Sequence, residues 1–249
     1  MTDTITKEKL DELCDIRQPV LFLNTNHSLM DINYKTMFEQ YPSYTMCLRN
    51  SHETNFNSEI YLQVSLTSAL TLIAEKDKDA NFYYSEKNED LLKNTGLHRR
   101  LSYSYLKPYA ATNCNYDFLL GAENSFTPLR YEVSYRNYIL VTQGSIEIKL
   151  FPPNVAHLDP VLDYLRYEFR SSMLTPWEDD HKCIQLIIPT NRILYIPAYW
   201  WYTIRFQKES SLLKFQYNTL MNHITTLPFT FLHLLQKQNT KTTISTQIS

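Results

Sequence analysis

The chain has 249 residues, with 24 Lys and Arg against 26 Asp and Glu and a formal net charge of -2. Both signs are spread evenly along it, so there is no basic footprint for nucleic acid and no basic amphipathic helix for a membrane surface, and neither partner is expected. It holds 3 glycines, where average usage gives about 17, beside many Tyr, Asn, Ile, Lys and Phe, a skew expected of an AT-rich genome such as that of a large DNA virus or a protist.

The start, MTDTITKEKLDEL, is acidic and polar where a secretory signal needs a basic end and an apolar run, and no stretch reaches the roughly 18 apolar residues of a membrane span. The expectation is a soluble intracellular protein, cytoplasmic or nuclear. Residues 1–17 read as a helical extension. Thr6 is its N-cap, and Leu10, Leu13 and Cys14 share one face. QPVLFLN (18–24) follows as a buried strand. Residues 27–110 mix strand-like runs such as EIYLQVSL with helical pieces, among them SEKNEDLLKNTGL, which ends near Gly96 as at a C-cap. Cys14, Cys47, Cys114 and Cys183 are far apart and form no CxxC pair, so zinc is not expected and reduced, mostly buried thiols are.

From YDFLLG (116–121) onward the pattern is β. YRNYILVTQGSIEIKLFP predicts two strands around a turn at Gly144, and RYEFRS, KCIQLIIP, ILYIPAYWWYTIRF and SLLKFQYNTL predict further strands at short spacing. Many short antiparallel strands indicate a barrel or jelly-roll sandwich over 18–222, with long loops at 154–165 and 171–182. Residues 223–249 are expected to form an apolar-faced helix, broken near Pro228, and a polar tail. LPFTFLHLL within 223–238 offers a surface for a protein partner or for self-association, and packing on the chain's own barrel is the equal alternative.

Five segments, QPVLFLNTN, FLLGAENSFTPLRYE, QGSIEIKLFPP, LYIPAYWWYTI and LLKFQYN, resemble in order and approximate spacing those of the JmjC and cupin-like Fe(II)/2-oxoglutarate oxygenases, nearest to the asparaginyl-hydroxylase branch. The resemblance implies a mainly β fold, a double-stranded β-helix (cupin/JmjC-like jelly roll) with flanking N- and C-terminal helices. It also implies an HxD pair and a distal His holding Fe(II), the two-histidine, one-carboxylate arrangement. Proteins of this kind also dimerise through C-terminal helices. In TPLRYE, however, Arg130 occupies the first His position and Glu132 the Asp position, and in IPAYWWYT Tyr202 occupies the distal His position. A guanidinium offers only donors, and a positive charge about 4 Å from a dication costs roughly 8 kcal/mol at an effective dielectric near 20. The position of the lysine that pairs 2-oxoglutarate matches Ile146, and Lys214 stands where an Asn is expected. Tyr83, Tyr84, Thr127, Asn137 and Trp201 remain as candidates for a residual pocket. Arg130 and Glu132, two apart, are expected to pair with each other or with Tyr202.

The expectation is therefore a pseudoenzyme without cofactor, retained as a protein-interaction or structural module, and in a large DNA virus a virion or minor capsid component. The alternatives are a hydroxylase with a rearranged metal site and a small-molecule-binding barrel. HLD, with His157 and Asp159, is a literal HxD, but it lies in a loop after FPPN. WEDDHK (177–182), with Glu178, Asp179, Asp180 and His181, is expected to be a solvated acidic loop. No P-loop, GxGxxG or GxSxG occurs, so neither nucleotide binding nor serine hydrolysis is indicated.

Overall fold

The computed structural model describes residues 5–52, 62–74, 82–101, 105–155, 158, 160–163, 167–171, 176–178, 182–239 and 246–247. The N-terminal part holds α1 (Lys7–Asp15), β1 (Val20–Leu23), a 3-10 turn (His27–Asp31), α2 (Tyr34–Gln40), β2 (Thr45–Asn50), β3 (Leu62–Ser65), α3 (Leu66–Ala74), β4 (Tyr83–Ser85), α4 (Glu89–Asn94) and a second 3-10 turn (Leu97–Arg99). Then come β5 (Ala111–Gly121), β6 (Arg130–Tyr131), β7 (Arg136–Gln143), β8 (Ser145–Phe151), β9 (Pro160–Asp163), β10 (Glu168–Ser171), β11 (Ile184–Pro189), β12 (Arg192–Pro197), β13 (Trp201–Phe206) and β14 (Ser210–Thr219). The helix α5 (Leu220–Asn239) and the short β15 (Thr246–Gln247) close the described chain.

The protein is mainly β, with two sheets and flanking helices. The larger sheet runs β1-β12-β7-β14-β5-β4-β2-β3-β15 and the smaller β11-β8-β13-β6-β10-β9. Among the described residues all pairings are antiparallel except that of β15 with β3. Alternation along the strands sorts the apolar residues onto two faces. On β7, Ile139 and Val141 face the smaller sheet, where they meet Ile148, Leu150, Ile204 and Phe206 in one buried cluster. Tyr138 and Leu140 face the other way, into a second cluster with Leu10, Phe22, Leu91 and Phe215, beneath the N-terminal helices. The larger sheet is thus covered on both sides, which explains why β7 reads as a nearly unbroken apolar run.

Local chemistry sets the boundaries. Thr6 caps α1 by accepting the Lys9 N–H at 3.3 Å. Gly96, at φ 74°, ends the α4 segment in the left-handed region, and Gly144, also at φ 74°, makes the β7–β8 turn. Four expectations are corrected. ILYIPAYWWYTIRF is not one strand: Pro197 ends β12, Tyr199 turns at φ 64° with its N–H on the Glu132 carbonyl at 2.9 Å, and β13 begins in the other sheet. The 154–165 loop contains β9, which pairs β10. Helix α5 runs through Pro228 unbroken. Of the four free cysteines only Cys14 is buried.

Candidate functional site

The space between the two sheets ends in charge. On β14 the inward residues run from Leu212, fully buried, through Lys214 to Gln216, and on β5 from Leu119 through Asp117 to Asn115. Lys214 and Asp117 are cross-strand partners. Beyond them lies a cavity of about 370 Å³, lined among others by Lys87, Asp117, Arg130, Glu132, Glu168 and Lys214. Its size is that of a small ligand site.

Glu132 follows β6 directly. Its Oε1 accepts the Tyr202 hydroxyl at 2.9 Å and the Lys214 ammonium. Burial pushes the Glu132 carboxyl up, but Lys214 and Arg130 outweigh burial and hold it below the ordinary range. Burial and then the Glu132 charge push the Tyr202 phenol up, so it stays protonated and donates.

Arg130 lies opposite both Tyr202 of β13 and Arg170 of β10. Its guanidinium meets Glu86 at 2.5 Å and Glu168 at 3.3 Å and lies over the Tyr202 ring, 5.8 Å from its centroid. Glu86, in the turn between β4 and α4, also holds Arg49. Glu168 also holds Arg170 at 2.7 Å and Lys87 at 2.8 Å. Burial raises the Glu86 carboxyl, yet Arg130 and Arg49 bring it down to about 2. The turn bearing Glu86 is fixed by Asp117, which accepts the Lys87 and Asn88 N–H groups at 2.9 and 2.7 Å. Burial pushes Asp117 itself up to about 6.

The expected direct pair of Arg130 with Glu132 is not formed: Arg130 takes Glu86 and Glu168, and Glu132 takes Tyr202 and Lys214. Arg130, Glu132, Tyr202 and Lys214 do come together. The other sequence candidates do not join them. Ile146 is fully buried between Ile188 and Phe206. The Thr127 hydroxyl accepts the Ile204 N–H at 3.0 Å, tying a loop to β13. Asn137 donates to the Ser134 and Ile196 carbonyls. Trp201 packs outside the smaller sheet, edge-on to Tyr131, with Phe151 and Leu129. Tyr84 is buried against Arg49, and Tyr83 is half-buried at the N-terminal core. His157, Asp159, Asp179, Asp180 and His181 lie outside the described residues.

Sequence reasoning missed Glu86, Lys87, Asp117, Glu168, Arg170 and Arg49. A signal existed for three of them: Asp117 in YDFLLG and Glu168 and Arg170 in YEFRS are charges set inside otherwise apolar strands, which stay buried only when paired.

The Fe(II) and 2-oxoglutarate that the resemblance implies do not fit these residues. The one carboxylate at a ligand position already accepts an ammonium and a phenol. The neighbouring guanidinium has only donors, and Ile146 provides no cation for a distal carboxylate. Among the described residues no group of three His, Cys, Asp or Glu is placed to hold a metal. No family model and no curated protein matches this chain, so the site is read from its own chemistry.

Proposed function

We propose that the chain is a double-stranded β-helix without catalysis, retained as a protein-association module. Strand order supports the fold reading. Taking β5, β6, β7, β8, β11, β12, β13 and β14 as strands one to eight, the larger sheet contains the order 6-3-8-1 and the smaller 5-4-7-2. The chain alternates between the sheets except at strands four and five, which pair with each other in the smaller sheet where the chain folds back on itself as a jelly roll does.

The observation that carries the absence of catalysis is the pairing at the three ligand positions. Arg130, Glu132 and Tyr202 are each paired with protein groups, Arg130 through its two terminal nitrogens, and Lys214 adds a second positive charge. Anaerobic addition of Fe(II) and 2-oxoglutarate tests this reading. The expected result is no metal-to-ligand absorption band and, in air, no succinate release coupled to oxygen uptake; either signal overturns it. Association is supported by the apolar exposure of α5: Leu220, Leu227 and Phe231 are each about three-fifths exposed.

One observation favours a second reading, ligand binding in the barrel mouth. The cavity is open and Arg130 lines it, and among the described residues the buried Arg130 Nε has no hydrogen-bond partner. Thermal shift against small carboxylates and amino acids tests it. A concentration-dependent rise in melting temperature, abolished by Lys214→Met, supports it, and no shift removes it.

A further inference from the structure

We propose that β11 pairs antiparallel with β11 of a second copy of this chain, about a two-fold axis at Leu186, and so joins two smaller sheets into one. The proposal rests on the association reading above and deepens it at a surface separate from α5.

A sheet edge offers a row of backbone N–H and C=O groups to any extended chain, and folded proteins protect it with short strands, prolines, charges or a covering element. Among the described residues the two sheets end in β1, β15, β9 and β11. β15 is two residues long, and β1 is four, with no side chain exposed. β9 is also four, opens with Pro160 and closes with Asp163. β11 differs. It is six residues, IQLIIP, with its one proline at the last position, and residues 183–191 carry no charge. Its only strand partner among the described residues is β8. Ile187 is 65% exposed and Ile184 42%, so an apolar edge of the kind that recruits another strand lies open over 184–188.

Register and charge select a second copy as the occupant. With the axis at Leu186, that residue meets its own counterpart, Ile184 meets Ile188 and Gln185 meets Ile187, while Pro189, which has no N–H to give, falls outside the paired stretch. Ile188 belongs to the cluster between the sheets and Leu186 packs against it. The row Ile184, Leu186, Ile188 therefore continues the apolar layer of one copy into that of the other, and a slip of one residue would turn the second layer to the opposite side. On the outer face, Ile187 stands beside Glu147 and Gln185 beside Lys149 in the β11–β8 register. Two-fold pairing lines up Glu147, Ile187, the second copy's Gln185 and the second copy's Lys149 across four strands. Each row then ends in opposite charges, and no like charges are set against each other. A pairing over 184–188 is small beside the roughly 800 Å² per partner of a standard interface, so the dimer is reversible and fills with rising concentration.

Sedimentation of the full chain over a concentration series, with hydrogen exchange on the same samples, tests the proposal. The expected mass rises from the 29.5 kDa of one chain to twice that, and exchange in 184–188 slows as the dimer fills. Ile187→Lys alters an exposed position outside the core clusters, and lysine is a natural guard of sheet edges. The variant is expected to stay at the mass of one chain with the circular dichroism of wild type. Should it misfold, the exchange of the wild type decides alone. A wild-type monomer at the highest attainable concentration overturns the proposal, as does a dimer whose exchange in 184–188 matches that of the monomer. If such a dimer is lost in the Leu227→Asp, Phe231→Asp variant, β11 is refuted and association through α5 stands. A monomer that captures from native material a partner lost by Ile187→Lys refutes the second copy and keeps the association reading. A monomer that captures none removes both.

Discussion

Glu86 sits between two guanidiniums, Arg49 and Arg130, and all three side chains are at most 5% exposed. Charges this far from water are tolerable only because each has a partner, and removing one partner strands the others. Glu86→Gln is expected to destabilise the fold by about 3–5 kcal/mol in urea unfolding, with part of the loss recovered when Arg130→Met is added; a single variant within 1 kcal/mol of wild type would refute a structural role for the network. The same group sets the acid limb of the stability curve. Its carboxyl titrates at about 2 in the fold against an ordinary 4.5, so the unfolded chain takes up a proton first. The stability it contributes, about 3 kcal/mol, is complete above about pH 4.5 and is lost as pH falls toward 2. Asp117 has the opposite sign. Raised from 3.8 to about 6, it keeps its proton in the fold after the unfolded chain has released it, so stability declines as pH rises from about 4 to 6. Asp117→Asn is expected to flatten that decline and leave the acid limb intact, as read from urea midpoints across pH. Less than half of this site was legible in the sequence. Arg130, Glu132, Tyr202 and Lys214 stand in motif positions on strands or directly after one, whereas Glu86 and Glu168 reach them only through the pairing of β10 with β6 and the turn before α4, contacts between residues about 40 positions apart.

At the scale of elements, the boundaries set by local chemistry were legible and those set by the sheets were not. Thr6, Gly96 and Gly144 act within a few residues of themselves, and each stands where its residue type predicts. The break at Pro197–Trp200 arises because β12 belongs to one sheet and β13 to the other, and no feature inside YIPAYWW announces a change of layer. Pro228 misled for a similar reason. A proline breaks a helix when the carbonyl it leaves unpaired has no other partner, but Ile224, whose carbonyl loses that bond, and Pro228 both lie on the exposed side of α5, open to water. The two turn glycines provide a controlled comparison. Both have φ 74°, but a Cβ on Gly96 meets open space, while on Gly144 it falls 2.9 Å from the Glu209 carbonyl and closer still to the Ser210 hydroxyl. That hydroxyl joins the strands by accepting the Ser145 N–H at 3.0 Å and donating to the Ser145 carbonyl at 2.9 Å. Gly96→Ala is expected to cost about 1 kcal/mol, from backbone strain alone, and Gly144→Ala about 2–3 kcal/mol. Equal losses in denaturant unfolding would show that the β7–β8 turn is not packed against β14 as described.

For the whole molecule, the division between what folds the chain and what it presents outward leads to a last prediction. The mainly β class follows from short alternating runs, which period two makes visible, but the partner of each strand depends on long-range pairing that no local pattern encodes. In the resulting structure the three core clusters draw on the N-terminal helices and both sheets, and among the described residues none includes a residue of α5. The helix is attached instead by the Asn222, Thr226 and Thr230 hydrogen bonds and the Phe229 ring. Exposed hydrogen bonds each contribute about 1 kcal/mol. A chain ending at Thr219, lacking α5 and β15, is therefore expected to keep one cooperative urea transition and to lose roughly 2–4 kcal/mol, the sum of those attachments and part of the Phe169 burial. It is also expected to be more soluble, because nine exposed apolar side chains leave with the helix. Loss of cooperative unfolding in the shortened chain would mean that α5 belongs to the fold itself, and its outward stripe would then need an explanation other than a partner. Retained cooperativity with a transition midpoint independent of protein concentration, beside a concentration-dependent midpoint in the full chain, would assign α5 to association.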